Sequence, residues 1–413
     1  MILKMESTLQ PKNKASDGLA LILASLKNIR FGQLELILPQ GEALYFSGSQ
    51  AGPAAKMRAL DVRVFDCILA RSDIGLGEAY MEGLWQTDDI SSLIEFAVVN
   101  RNALAGAMLG QWHKVLIYKV KHMFNLNSKS GSRKNISAHY DLGNDFYKLW
   151  LDETMTYSSA QWAGDRSLSL AQAQKKKYEL LLGHLNAKKG SRILEIGCGW
   201  GGFAEYAAKN GHHVTGITIS RQQFDFATAR MKRQNLQDRV DIQFLDYRDL
   251  KGQYDHVVSI EMLEAVGAQF WHGYFKKITE VLKPGGSVAI QSITISDTVF
   301  ASYRKGTDFI QQYIFPGGML PCERELKTIV GGLNHCEVKF TRFGLDYAHT
   351  LKIWAAEFEK VSGEVRRMGY SAEFERMWKF YLGYCEGAFR AGQINVVAMV
   401  YSPGVYSPGE LKR

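Results

Sequence analysis

The residues best suited to chemistry lie in the run Arg192-Ile193-Leu194-Glu195-Ile196-Gly197-Cys198-Gly199-Trp200-Gly201-Gly202. The apolar members suit a buried parallel strand, and Gly197, Gly199 and Gly201 let backbone approach a bound molecule where a Cβ would collide. Followed by a helical stretch over Phe203 to Lys209, the turn predicts a nucleotide-cofactor site. Glu195 narrows the choice. A pyrophosphate on the following helix N-terminus would be repelled by a carboxylate just ahead of the first glycine, whereas an amino group and a sulfonium would be attracted. S-adenosylmethionine meets that requirement better than NAD.

Other candidate cofactor residues follow in order. A carboxylate that could hold a ribose is missing from the end of the next strand, which reads His213-Val214-Thr215-Gly216-Ile217-Thr218-Ile219-Ser220. Thr218 and Gln223 can offer donors and acceptors in its place, while Ser220 suits the cap of a helix starting at Arg221. Asp246-Tyr247-Arg248 supplies an acceptor for an adenine amino group and an aromatic neighbour.

Positioning these residues requires a layered α/β scaffold. Strands are predicted at Arg192 to Ile196, His213 to Ile217, Val240 to Phe244, His256 to Ile260 and Ser287 to Gln291. Helices over Phe203 to Lys209, Arg221 to Gln234 and Trp271 to Leu282 alternate with them, which implies a doubly wound parallel sheet. Lys283-Pro284-Gly285-Gly286 reads as a tight turn before the fifth strand. Late strands near Glu337 to Arg342 and Asn395 to Tyr401 would complete seven strands, the last antiparallel. The stripes Leu351, Trp354, Phe358, Val361, Val365 and Phe374, Met377, Tyr381, Tyr384, Ala388 have helical spacing and read as core-facing.

The chain of 413 residues is long enough for two or three domains. Its formal net charge of +8 favours anionic partners without choosing among nucleic acid, acidic lipid and small phosphorylated substrates. Five scattered cysteines, with no CxxC pair, predict a reduced cytoplasmic protein without a structural metal. Leu19 to Leu26 is too short an apolar run to span a bilayer, so membrane contact is expected to be peripheral. The polar segment Asn125 to Asn135 reads as a linker, dividing residues 1–124 from a second domain over 136–413. Ahead of it, Met108, Trp112, Val115, Leu116 and Met123 lie near helical spacing among Lys114, Lys119, Lys121 and His122. That stretch suits a core helix with a basic face, or a surface that touches anionic lipid.

Further motifs extend this reading. The runs His139-Tyr140-Asp141-Leu142-Gly143-Asn144-Asp145-Phe146-Tyr147, Leu151-Asp152-Glu153-Thr154-Met155-Thr156-Tyr157-Ser158-Ser159-Ala160 and Tyr313-Ile314-Phe315-Pro316-Gly317-Gly318 join the glycine turn and Thr218-Ile219-Ser220. Together they resemble the cyclopropane-fatty-acyl-phospholipid synthases and the related mycolic-acid methyltransferases. The likeness covers most of the chain. Leu76-Gly77-Glu78-Ala79-Tyr80-Met81-Glu82-Gly83-Leu84-Trp85 is similar to the N-terminal domain of the bacterial phospholipid enzymes.

The resemblance implies a Rossmann-like methyltransferase domain, a smaller N-terminal lipid-binding domain, and an acyl-chain-binding insertion around residues 297–390. It implies methyl transfer from S-adenosylmethionine to a cis double bond of a phospholipid acyl chain, then ring closure to a cyclopropane. The expected setting is the inner face of the membrane, with no nucleic-acid partner; a homodimer is compatible with these features. Tyr157 and Ser158 match the segment that closes over the methionine end of the cofactor. A bicarbonate ion is implied as base, held by Ser159, Glu264, Gln291, Tyr347 and the backbone at Ile293. Here the chain departs from the best-known members, which carry Cys at the position of Ser159, His at that of Gln291 and usually His at that of Ala265. Serine and glutamine can both donate to an anion. The alternatives are a methyl- or methylene-branching enzyme and a lipid-binding protein without catalysis.

Overall fold

The computed structural model describes residues 17–108, 142–334 and 337–403. The predicted linker, the basic stretch after Met108, and His139, Tyr140 and Asp141 lie outside these residues.

Four strands, Phe31–Ile37 (β1), Ala43–Ser47 (β2), Gln50–Ala59 (β3) and Trp85–Gln86 (β4), form a small sheet in the order β2-β1-β3-β4. β1 is antiparallel to β2 and parallel to β3. Leu34, Leu36, Ala55 and Met57 are buried on this sheet, which packs on helix Ile90–Val99. Asp89 caps that helix by accepting from Ser92 N, satisfying an N–H that the first turn leaves unpaired.

Seven strands build the second sheet: Arg192–Ile196 (β5), His213–Thr218 (β6), Val240–Phe244 (β7), Tyr254–Ile260 (β8), Leu282–Ile295 (β9), Lys339–Arg342 (β10) and Ile394–Tyr401 (β11). Their order is β10-β11-β9-β8-β5-β6-β7. β5 to β9 are parallel, and β11 runs antiparallel between β9 and β10, as the sequence predicts. The chain turns back between β5 and β8, so a crevice opens at their carboxyl ends. Ile193, Leu194, Val257, Val258, Val288, Ala289 and Ile290 are completely buried there, as strands covered on both faces require.

The turn at Lys283 to Gly286 differs in one respect from its prediction. It lies within β9, whose pairing with β8 jumps from Leu282 opposite Tyr254 to Ser287 opposite His256. Gly285 supplies the positive φ (76°) this bulge needs.

Helix Ala372–Arg390 packs on Gly344–Lys360 of the large sheet's layer and on Arg63–Met81 and Ile90–Val99 of the N-terminal part. Gly383 and Gly387, one turn apart, allow that approach: a Cβ at Gly387 would stand 2.5 Å from Ser91 O, and one at Gly383 2.7 Å from Ile90 Cβ. Arg390 pairs with Glu95 at 2.8 Å across the same contact. Among the described residues no helix is long and apolar enough to cross a membrane.

Candidate functional site

A cavity of about 840 Å³ opens at the carboxyl ends of β5 and β8. The glycine turn forms one wall. Gly197 has φ +81°, and a Cβ there would lie 2.8 Å from Met262 Cγ, so both conformation and space demand glycine. Gly199 and Cys198 also line the cavity, but Gly201 does not. Gly201 instead opens helix Gly202–Lys209 at φ +82°, with Met231 Cε and Ala227 Cβ close to where its Cβ would be. There it packs against helix Arg221–Arg233.

Glu195 is buried on this wall, and its Oε2 has no hydrogen-bond partner among the described residues. Burial holds its carboxyl well above the ordinary range, opposed by Lys177, the backbone of Ala204 and Arg230. An unpartnered buried carboxylate oxygen beside a glycine cradle fits a ligand with an ammonium group. Thr218 Oγ1 donates to Gln223 Oε1 at 2.9 Å, and both side chains line the cavity. Ser220 caps helix Arg221–Arg233, as predicted. Asp246 is buried, with Oδ1 accepting from Arg248 N (3.0 Å) and Nε (2.8 Å) and Oδ2 from Nη2 (2.6 Å). It faces the cavity already clamped by Arg248, and Tyr247 lies beside it. These residues, with Tyr157 and Ser158, share one wall system and suit S-adenosylmethionine.

The deeper wall holds two carboxylates just after β8, Glu261 at the end of the strand and Glu264 in the short turn Leu263–Ala265. Glu261 Oε1 accepts from Ser159 N at 2.9 Å and from Gln291 Nε2 at 2.7 Å; Oε2 accepts from Tyr347 OH at 2.9 Å. Glu264 Oε1 accepts from Ser292 Oγ at 3.0 Å and from Ile293 N, while its Oε2 is buried without a partner among the described residues. Burial first, then the neighbouring Glu261, pushes the Glu264 carboxyl up to about 8. Burial also raises Glu261, against the pull of Lys177, Gln291, Ser159 and Tyr347. The pair therefore differs in its partners: Glu264 is neutral at pH 7, while both oxygens of Glu261 are met by hydrogen-bond donors.

Lys177 comes from helix Leu170–Leu185 and is completely buried, donating to Ser158 Oγ at 2.6 Å. Burial lowers its ammonium, and Glu261, Asp152 and Glu195 hold it up. Gln174 of the same helix donates to Ser158 O at 3.0 Å, so this helix fixes the segment that covers the glycine turn. Tyr157 OH bonds Tyr381 OH at 2.7 Å, and its ring lies 5.3 Å from Trp354 and 5.7 Å from Trp150. Tyr347 stands 6.1 Å from Trp354 and 4.7 Å from Phe389. Aromatic faces crowded around Tyr157 and Tyr347 can stabilise positive charge.

The structure thus gathers the predicted residues but regroups them. Ser159, Gln291 and Tyr347 converge on Glu261, while Ile293 serves Glu264. The Ser159 hydroxyl donates to Ala160 O at 2.8 Å, and neither Ser159 nor Gln291 lines the cavity. A bicarbonate ion does not fit these side chains: Gln291 Nε2, Tyr347 OH and Ile293 N already serve resident carboxyl groups, the Ser159 hydroxyl serves Ala160 O, and a further anion would be buried beside Glu261. Sequence reasoning missed Glu261 and Lys177. Tyr381, Tyr384 and Ala388, read as core-facing, also line the cavity.

The cavity does not end at the large sheet. It continues among Leu34, Leu36, Met57, Leu93, Ile94 and Phe96 of the N-terminal part.

Known proteins resemble this chain over most of its length. A family model described as mycolic acid cyclopropane synthetase matches residues 127–399. Tuberculostearic acid methyltransferase of Mycobacterium tuberculosis is 37% identical over 332 residues, 78% of this chain and 77% of the relative. Cyclopropane-fatty-acyl-phospholipid synthase of Escherichia coli K12 is 36% identical over 365 residues, 86% of this chain and 92% of the relative. Among solved structures, a mycolic acid cyclopropane synthase complexed with SAH and CTAB superimposes with a TM-score of 0.61 at 28% identity. That match covers 65% of this chain and 97% of the other.

Proposed function

This chain belongs to the mycolic acid cyclopropane synthetase family of S-adenosylmethionine-dependent methyltransferases, and we propose that it converts cis double bonds of phospholipid acyl chains to cyclopropanes. The observation that carries this reading is one continuous cavity. It joins a cradle suited to the methyl donor, a junction of carboxylates and aromatics, and an apolar passage into the N-terminal part.

An alkene is a poor nucleophile, so the protein must hold it against an activated methyl group and keep water out. S-adenosylmethionine supplies that methyl group as a sulfonium. Glu195 offers its open carboxylate oxygen to the donor's ammonium, Thr218 and Gln223 offer polar atoms to its ribose, and Asp246 offers an acceptor to its adenine. Tyr157, Tyr347 and Trp354 line or back the junction where cationic charge develops on the acyl chain. A base there removes a proton from the new methyl group, and the ring closes. Peripheral contact with the membrane would deliver the acyl chain, in keeping with the overall positive charge.

Incubation of the purified protein with S-adenosylmethionine and vesicles of unsaturated phospholipid tests this, with proton NMR of the extracted lipid. Upfield ring-proton signals are expected. Olefinic methylene or branched-methyl signals would replace the proposal with a second reading, a branching methyltransferase. The identity to the tuberculostearic acid methyltransferase favours that alternative. No change in the lipid would leave a lipid-binding protein.

A further inference from the structure

We propose that Glu261 is the base of the reaction, a carboxylate built into the chain where the family resemblance would place a free bicarbonate ion. The inference rests on the methyl-transfer reading above and specifies which group takes the proton.

The geometry around Glu261 is that of an anion site with its anion already bound. Ser159 N, Gln291 Nε2 and Tyr347 OH come from three distant parts of the chain and all end on its two oxygens. A carboxylate has about four acceptor positions. Three are filled, leaving one on Oε2 at the cavity wall, where Glu261 is a lining residue. Glu264 is the weaker candidate. Its Oε1 takes two donors, and its Oε2 is buried beside another carboxylate, an arrangement suited to a neutral acid that donates a hydrogen bond.

The backbone gives an independent sign. Glu261 has φ +49°, a conformation that costs a residue with a Cβ free energy and is found where surrounding structure enforces it. Its own N–H is held by Gln291 O at 2.8 Å. The strand end is thus fixed in a bend that aims the side chain at the donors. Lys177, buried close by, balances its charge.

The step balances. The sulfonium carbon–sulfur bond breaks with its electron pair remaining on sulfur, and the methyl carbon bonds to one alkene carbon, leaving a cation on the other. A C–H bond of the new methyl group then breaks, its proton passes to Glu261 Oε2, and its electron pair closes the ring to the cationic carbon.

The test compares the full-length protein with Glu261→Gln and Glu261→Gly in carbon-dioxide-free buffer, with and without added bicarbonate. Glycine accepts φ +49° without strain, so that variant keeps the local backbone while vacating the anion position. The wild type should form SAH and product at the same rate in both buffers and show no binding of carbon-13-labelled bicarbonate by NMR. Glu261→Gln should lose about 10²- to 10⁴-fold in turnover, with donor binding by calorimetry retained. Glu261→Gly should bind labelled bicarbonate and regain turnover when it is added. Wild-type binding of bicarbonate, stimulation of the wild type by it, or full activity of Glu261→Gln would each overturn the proposal. If no condition yields a methylated lipid, the methyl-transfer reading fails, and the bicarbonate-binding comparison still decides whether Glu261 occupies the anion position.

Discussion

Two carboxylates three residues apart have been given different states by their partners. Glu264 is pushed to about 8 because burial and Glu261 both oppose its charge. Its ordinary value is 4.5, so between those limits the folded protein holds a proton that the unfolded chain has released, and stability falls as pH rises. The slope from this one group is at most about 1.4 kcal/mol per pH unit. Calorimetric midpoints across that range should therefore decline less in Glu264→Gln than in the wild type. Turnover should show an alkaline limb near pH 8 that the variant lacks, because ionisation there sets a second negative charge beside Glu261. Glu264 was reached in the sequence through the family resemblance, at a position just past a parallel strand. Glu261 was not, since its role depends on a backbone bend and on donors from residues 159, 291 and 347. Lys177 was hidden differently, as the last of Lys175, Lys176 and Lys177. Helical spacing with Ala173, Gln174, Tyr178 and Leu181, all buried, is the signal that turns it inward.

Elements of the large sheet were readable because their physics is local. A parallel strand covered on both faces is a short apolar run between turn residues, and β5 begins and ends where the pattern does. The bulge inside β9 was less readable, because Pro284 and Gly285 mark a turn without saying whether pairing resumes on the same strand. Helix Ala372–Arg390 posed another limit: an apolar stripe reports burial but not whether the buried face meets side chains or a cavity. Its two inward glycines reveal more. Replacing Gly387 by leucine would drive a side chain into Ser91 O and Ile94, separating this helix from Ile90–Val99. Overpacking of this kind costs about 1–3 kcal/mol. Gly387→Leu is expected to lower the thermal midpoint and acyl-lipid turnover, while calorimetric binding of S-adenosylmethionine, on the far wall, stays near that of the wild type.

At the scale of the molecule, the two sheets share one interior, which no local pattern could announce. The N-terminal strands contribute Leu34, Leu36 and Met57 to the same cavity that holds Glu195 and Glu261, so a long apolar substrate can be measured against a wall remote from the reacting carbon. Each methylene buried there is worth about 0.8 kcal/mol, or about fourfold in kcat/KM if that contact is kept in the transition state. Leu34→Trp would fill part of the far end without touching the glycine turn. Assayed with vesicles of phospholipids that differ only in acyl length, this variant should favour shorter chains than the wild type, by about fourfold for each methylene excluded. S-adenosylmethionine affinity should be unaltered. An unchanged length profile would mean that the N-terminal end of the cavity is not used by the acyl chain, even if the chemistry at the junction is as described.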